Sequence, residues 1–186
     1  MVKIKGTAIS DTLKRIKAKF GDEGVEQIMN SLSEESRAVF TDQTIIPSSF
    51  YSLDAFVELL ECLVRLFHDG KSSVLTELSE ELIERQLRGV YRIFVRLKSP
   101  ESVATRVSNM NATYFNGITG EARITVPRSF VSRYYGFRSN HAIFEYCIIG
   151  YFQAALRICG AKNVRASFTT SIARGGPFSE CTVTWD

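Results

Sequence analysis

Residues 150–185 read GYFQAALRICGAKNVRASFTTSIARGGPFSECTVTW. The order within this stretch is a helix end, a strand, a turn and a second strand. Its opening residues continue an apolar stripe at helical spacing, Ile143, Cys147, Gly150, Ala154 and Ile158, and Gly160 is placed to end that helix. The stripe is small-sided in the middle, which permits close packing. Val164, Ala166, Phe168, Thr170 and Ile172 then alternate with polar residues, as do Cys181, Val183 and Trp185, which predicts two strands. Between them ARGGPF, residues 173–178, predicts a hairpin turn, with Gly175 or Gly176 supplying positive φ and Pro177 just beyond.

Immediately upstream, EARITVP (121–127) alternates Ala122, Ile124 and Val126 with Arg123 and Thr125 and predicts a further strand. SFVSRYYGF (129–137) reads equally as a strand or as its return loop. Ser139 or Asn140 is placed to cap the helix that runs to Ile158. Before Gly117 the pattern is helical. Ile9, Leu13, Ile16 and Phe20 share one face up to Gly21, and Val25, Ile28, Met29 and Leu32 form a second stripe with Asp22 as its cap. A short helix is predicted from Ser33 to Phe40. SLDAFVELLECLVRLFH (52–68) is apolar over most of its circumference, the pattern of a central helix, and Gly70 ends it. From Val74 to about Leu97 the stripe is Ile83, Leu87, Val90, Phe94 and Leu97, and the pairs Glu81–Arg85 and Glu84–Arg88 stand four residues apart on the outer face. Ser99-Pro100 predicts a helix start, with the helix running to about Tyr114. The expected class is α+β: N-terminal helices packed on a small C-terminal antiparallel sheet with one inserted helix, in a single domain over residues 1–186.

Composition narrows the function. The net charge is +3, from 23 basic and 20 acidic side chains, a balance that does not point to nucleic acid. The local basic run Lys14, Arg15, Lys17 and Lys19 flanks an apolar stripe and reads as the solvated side of a helix. No window reaches ~18 uninterrupted apolar residues, so no transmembrane helix is expected. The opening residues MVKIKGTAIS lack the apolar run of a secretion signal, so a cytoplasmic location is expected. Cys62, Cys147, Cys159 and Cys181 form no C-x-x-C pair and read as small core residues rather than a disulfide framework.

Chemistry is sparse. His68 and His141 are the only histidines, each near a predicted helix end. No H-E-x-x-H, G-x-S-x-G or P-loop spacing occurs. A hairpin accounts for RGGP without an anion site. No catalytic residue is singled out, no metal site is expected, and the chain reads as a non-enzyme.

The order of these features resembles the 4-vinyl-reductase-like domains, which share a superfamily with the haem–nitric-oxide-binding domains and the vesicle-tethering TRAPP subunits. The resemblance is carried by the helix ending in glycine, the following strand, the turn ARGG (173–176) and the last strand with Cys181 near its start. VKIKGTAISDTLKRIKAKFGDEGVEQIM (2–29), IIPSSFYSLDAFVELLE (45–61) and LRGVYRIFVRLKSPESV (87–103) extend it over most of the chain, toward a bacterial branch of the superfamily. The resemblance implies helices packed on a small sheet with a pocket between them. Where such relatives bind zinc, cysteines flank the final hairpin. Cys181 stands at the later of those positions and Ser171 near the earlier one, and a hydroxyl is a poor zinc ligand. The haem branch uses an axial histidine in its helical part and a Y-x-S-x-R motif. No histidine lies between His68 and His141, and SRYYGFR (132–138) lacks that spacing, so no haem and no other cofactor is expected.

By this resemblance the chain is expected to be a sensory or regulatory domain that binds a small hydrophobic molecule between helices and sheet. The alternative is an assembly subunit acting through protein contacts, with no ligand. The expected pocket residues are Phe56, Leu59, Leu60, Leu63, Val90, Tyr91, Phe94 and Tyr146. Resemblance to dimeric relatives also implies a homodimer through the first two helices, or a regulatory partner protein.

Overall fold

The computed structural model describes residues 1–42, 44–88 and 99–186. The chain opens with strand β1 (Lys3–Lys5) and helix α1 (Gly6–Ser31). Gly21 (φ 72°, ψ −173°) interrupts α1, so the two stripes read from the sequence are two helical segments joined at a kink. Helix α2 (Glu34–Thr41) follows, and the Ser33 side chain accepts the Ser36 N–H at its start. Strand β2 (Phe50–Ser52) leads into α3 (Leu53–Phe67), where Ser52 accepts the Ala55 N–H. α3 is central, as its apolar circumference predicts: Leu53, Phe56, Val57, Leu59, Leu60 and Leu63 are all buried.

α4 spans Val74–Arg88. The rest of the helix predicted to reach Leu97, with Val90, Tyr91 and Phe94, lies outside the described residues. Glu81 pairs with Arg15 of α1, and Glu84 approaches Arg157 at 4.0 Å, so both reach across to other helices. The helix expected from Ser99 to Tyr114 is two, α5 (Glu101–Ala104) and α6 (Val107–Tyr114), broken at Thr105 and Arg106.

Strands β3 (Phe115–Asn116), β4 (Thr119–Val126) and β5 (Ser129–Tyr135) come next, which settles 129–137 as mostly strand. A single 3-10 turn (Ser139–His141) precedes α7 (Phe144–Ile158), and β6 (Arg165–Thr170) and β7 (Ser179–Thr184) close the chain. Gly175 (φ 85°) takes the left-handed conformation between them, after a 3-10 turn at Ile172–Arg174. The main sheet is antiparallel in the order β4-β5-β7-β6, with α7 inserted between β5 and β6. β1, β2 and β3 form a second, three-stranded sheet in the order β2-β1-β3 that the sequence reading missed. Strands of two or three residues carry too little alternation to show in a sequence.

α7 lies on the inward face of the main sheet. The rings of Phe130 (β5) and Phe152 (α7), both fully buried, meet edge-on at 5.2 Å. The other flank of α7 packs closely on α4 at Gly150, where a Cβ would sit 2.2 Å from the Thr76 carbonyl oxygen. Thr76 and Ser79 donate their hydroxyls to the carbonyls of Tyr146 and Cys147 (3.3 and 2.7 Å), fastening the two helices about one turn before that glycine.

Candidate functional site

The layers do not close completely. A cavity of about 130 Å³ lies between α1, α3, α4, α6, α7 and β5. Ala8 and Thr12 of α1, Phe56 and Leu60 of α3, and Leu78, Leu82 and Ile83 of α4 form one side. Val107, Met110 and Tyr114 of α6, with Phe115 and Tyr134, form the next. α7 supplies Phe144, Cys147, Ile148, Tyr151 and Phe152, which follow the spacing i, i+3, i+4, i+7, i+8 of one helical face. Among the described residues no Lys, Arg, Asp, Glu or His lines this space.

The polar groups in its wall are few. Ser79 spends its hydroxyl on the Cys147 carbonyl. Gln86 donates to Asp11 Oδ2 at 2.7 Å and accepts from the Tyr114 hydroxyl at 2.9 Å, tying α1, α4 and α6 together at one edge. Buried Asn111 donates to the Ile118 carbonyl at 3.3 Å. The Tyr151 hydroxyl donates to Met110 Sδ. Burial pushes the Cys147 thiol up to about 12 and raises Tyr134 and Tyr151 well above the ordinary phenol value, so all three are neutral at physiological pH.

Of the expected pocket residues, Phe56 and Leu60 line the cavity. Leu59 and Leu63 are buried in the core on the remaining flanks of α3, and Leu63 borders a smaller cavity of about 50 Å³ beside His68. Tyr146 is on the outer side of α7, 37% exposed. Val90, Tyr91 and Phe94 fall outside the described residues. Met110, Asn111 and Tyr151 were not singled out from the sequence, although the Phe144–Cys147–Ile148–Tyr151 spacing was there to be read.

Neither histidine reaches the cavity. His141 is 1% exposed; its Nδ1 accepts the Arg138 N–H at 3.1 Å, so Nε2 carries the proton and donates to Asp54 Oδ1 at 2.9 Å. Arg138 and Asn140 donate to the same carboxylate. Burial raises the Asp54 carboxyl, but the hydrogen bonds from Asn140 and His141 and the charge of Arg138 outweigh it and hold it below the ordinary value. His68 is lowered by partial burial and by Lys19 nearby. At the final hairpin Cys181 is fully buried and its thiol is pushed up to about 12 by burial. Among the described residues no group of three or more His, Cys, Asp and Glu is placed to hold a metal ion.

No protein-family model matches the chain, and no curated protein matches it in sequence. Solved structures do match it in shape. An Fe(II) unliganded H-NOX protein from K. algicida superimposes with a TM-score of 0.75 at 15% identity, covering 98% of this chain and 96% of that one. The fold is that of the H-NOX proteins. An H-NOX protein from S. oneidensis in the Fe(II)NO state gives 0.75 at 11% identity over 98% and 99% of the two chains. The H-NOX domain of Shewanella oneidensis in the Fe(II)CO state gives 0.74 at 11% identity over 98% of each. The haem–nitric-oxide-binding domains are among those the sequence resemblance named, and the chain shares their fold.

The H-NOX fold implies haem, and the described residues do not fit it. Both histidines of the chain lie away from the cavity, and its one thiol is held protonated. No cation among the described lining residues is available for propionates. The volume of about 130 Å³ is also well below the roughly 300–1,000 Å³ of pockets for drug-sized ligands.

Proposed function

We propose that residues 1–186 form one non-enzymatic sensory or regulatory domain, cytoplasmic, whose interior cavity binds a small hydrophobic molecule. The observation that carries this reading is an apolar space at the junction of helices and sheet, lined by aromatic and aliphatic side chains and by no charged residue among those described. The H-NOX proteins of matching shape are described in Fe(II), NO-bound and CO-bound states, which supports a ligand-binding role for the fold. Protonated thiols at Cys147, Cys159 and Cys181, each raised by burial, support a binding rather than a catalytic interior. No helix among the described residues is long and apolar enough to cross a membrane, and all four cysteines are unpaired.

The second reading, an assembly subunit without a ligand, is favoured by one observation. β4 is an edge strand, and its Ile124 and Val126 are 46% and 59% exposed. The stripe expected to make a homodimer is largely spent within the chain, since Ile9, Ile16, Ile28 and Leu32 are buried in its own core.

Leu60→Trp separates the two readings. Leu60 is 1% exposed and faces the cavity. A ligand-binding cavity accepts the larger ring, keeps its melting temperature near wild type and no longer takes up toluene, a neutral probe of the cavity's own size. A filled core loses about 1–3 kcal/mol to overpacking. Severe destabilisation, together with no probe uptake by the wild type, leaves the assembly subunit as the better reading.

A further inference from the structure

The order β4-β5-β7-β6 leaves β4 and β6 each with a strand on one side only. Such an edge offers a row of N–H and C=O groups to another chain, and proteins guard it with proline, a bulge or charge. From Thr119 to Ile124, β4 runs in unbroken register with β5 and carries no proline; the irregularity comes later, between Ile124 and Val126. α6 lies over the inner face of β4, where a Cβ on Gly120 would sit 2.8 Å from the Asn111 side chain.

The charges on this edge complement themselves. Ala122 and Ile124 stand beside the buried Ser132 and Phe130 and share their inward face, which turns Glu121 and Arg123 outward, both exposed. Glu121 accepts the Tyr135 hydroxyl on Oε1 at 2.9 Å, and neither Glu121 nor Arg123 makes an ion pair among the described residues. A second copy that extends the sheet antiparallel about a two-fold axis keeps both inner faces on one side, so one residue must stand opposite its own copy. Centred on Glu121 or on Arg123, the pairing sets like charges opposite each other. Centred on Ile124, it runs into the irregularity and Pro127. Centred on Ala122, it sets Glu121 opposite the partner's Arg123 and Arg123 opposite the partner's Glu121, and it brings Ile124, 46% exposed, opposite the partner's Gly120. β6 has no such match: its outward row, Arg165, Ser167 and Thr169, holds no acid.

We propose that β4 pairs with β4 of a second copy of this chain, antiparallel and centred on Ala122, joining the two main sheets into one and closing the joint with two Glu121–Arg123 ion pairs. This interface uses the edge that favours an assembly role and does not depend on what the cavity holds.

Sedimentation velocity of the full chain at roughly 1–100 μM, the range of a modest interface, tests it. The wild type is expected to dimerise. Arg123→Glu or Glu121→Arg alone turns both attractive contacts into repulsive ones and is expected to weaken the dimer at least about tenfold. The double exchange, Glu121→Arg with Arg123→Glu, restores opposite charges and is expected to restore the dimer. Both positions are exposed, so all three variants should keep the wild-type melting temperature of the monomer fold. Ala122→Cys, opposite its own copy, is expected to give an interchain disulfide on mild oxidation that the wild type, with its four unpaired cysteines, does not give. A wild type that stays monomeric at the highest concentration, a dimer indifferent to both single reversals, or a double exchange that stays dissociated overturns the proposal. Each of these results leaves the ligand-binding reading standing, because probe uptake tests that separately.

Discussion

Gly150 is the point at which the spacing of α4 and α7 is set, and Gly150→Ala tests that claim. A Cβ built there lies 2.2 Å from the Thr76 carbonyl oxygen, 2.8 Å from Ser79 Cβ and 3.1 Å from the Thr76 carbonyl carbon. A carbon and a carbonyl oxygen come to rest at about 3.3–3.6 Å, so α4 must retreat by roughly 1 Å. The obstacle is backbone, and no rotamer change relieves it. Overpacking of this kind costs about 1–3 kcal/mol, and a helix backed by a neighbour's carbonyl belongs at the upper end. Alanine's better helix propensity returns about 1 kcal/mol. The net expectation is a loss of about 2 kcal/mol, equivalent to a fall in Tm of about 4–8 °C for a chain of this length. Scanning calorimetry and urea unfolding of the two proteins measure it. Because α4 and α7 both wall the cavity, the retreat also alters its width, and the affinity for a neutral aromatic probe is expected to change with the stability. A variant as stable as wild type, or more stable by about the propensity gain, would show that the two helices are not held at this distance and would refute the reasoning.

Two further outcomes follow from the polar contacts around the core. Asp54→Ala removes the acceptor for Arg138 (3.0 Å), Asn140 (2.8 Å) and the buried His141 (2.9 Å), and is expected to cost about 1–3 kcal/mol in urea unfolding through the unpaired ring N–H. Since the Asp54 carboxyl is held below its ordinary 3.8, the stability it confers is present above that pH and is lost as pH falls through the lowered value; the variant should lack this acid loss, and an identical acid limb in both proteins would count against the contact. Glu145, only 7% exposed, is raised above 4.5 by burial despite its 2.8 Å pairing with Arg174, so its contribution is full below 4.5 and is lost as pH rises through the raised value. The Tm of Glu145→Gln should therefore gain on wild type between about pH 4 and about pH 7, and a difference that stays flat over that range argues against the raised carboxyl.

Long apolar stripes made most of the helices legible. α3 is apolar nearly all round and is central, and the stripes on either side of Gly21 match the two arms of α1; Ser33 and Ser52 cap α2 and α3 without having been read as caps, whereas the expected cap at Ser139 or Asn140 is not the cap of α7, which starts after Ile143 with no side-chain cap. The same physics explains the misses. β1, β2 and β3 are held by pairing with one another, Ile4 opposite Tyr51 on one side and Phe115 on the other, and that long-range pairing leaves no local trace in two or three residues. The break at Thr105 and Arg106 carries no glycine or proline, so a continuous helix was the natural reading.

The cavity was legible from α3. α3 pointed to Phe56 and Leu60 because a helix apolar all round must face several partners, and one of those faces is the cavity. α7 was harder, because it has two apolar flanks. The stripe Ile143, Cys147, Gly150, Ala154 and Ile158 follows the flank whose Gly150 fits against α4, and its last member is 38% exposed. The neighbouring row Phe144, Cys147, Ile148 and Tyr151 turns the larger side chains toward the cavity. Periodicity fixes which residues share a face, but two faces 3.6-residue spacing treats alike are told apart only by what packs on them. Tyr146 illustrates the consequence: it sits five residues before Tyr151, about 140° away around the helix, and so ends in solvent while Tyr151 ends against Met110. The place of the Tyr151 hydroxyl is thus set by the α6–α7 contact, a tertiary fact that helical periodicity alone does not carry.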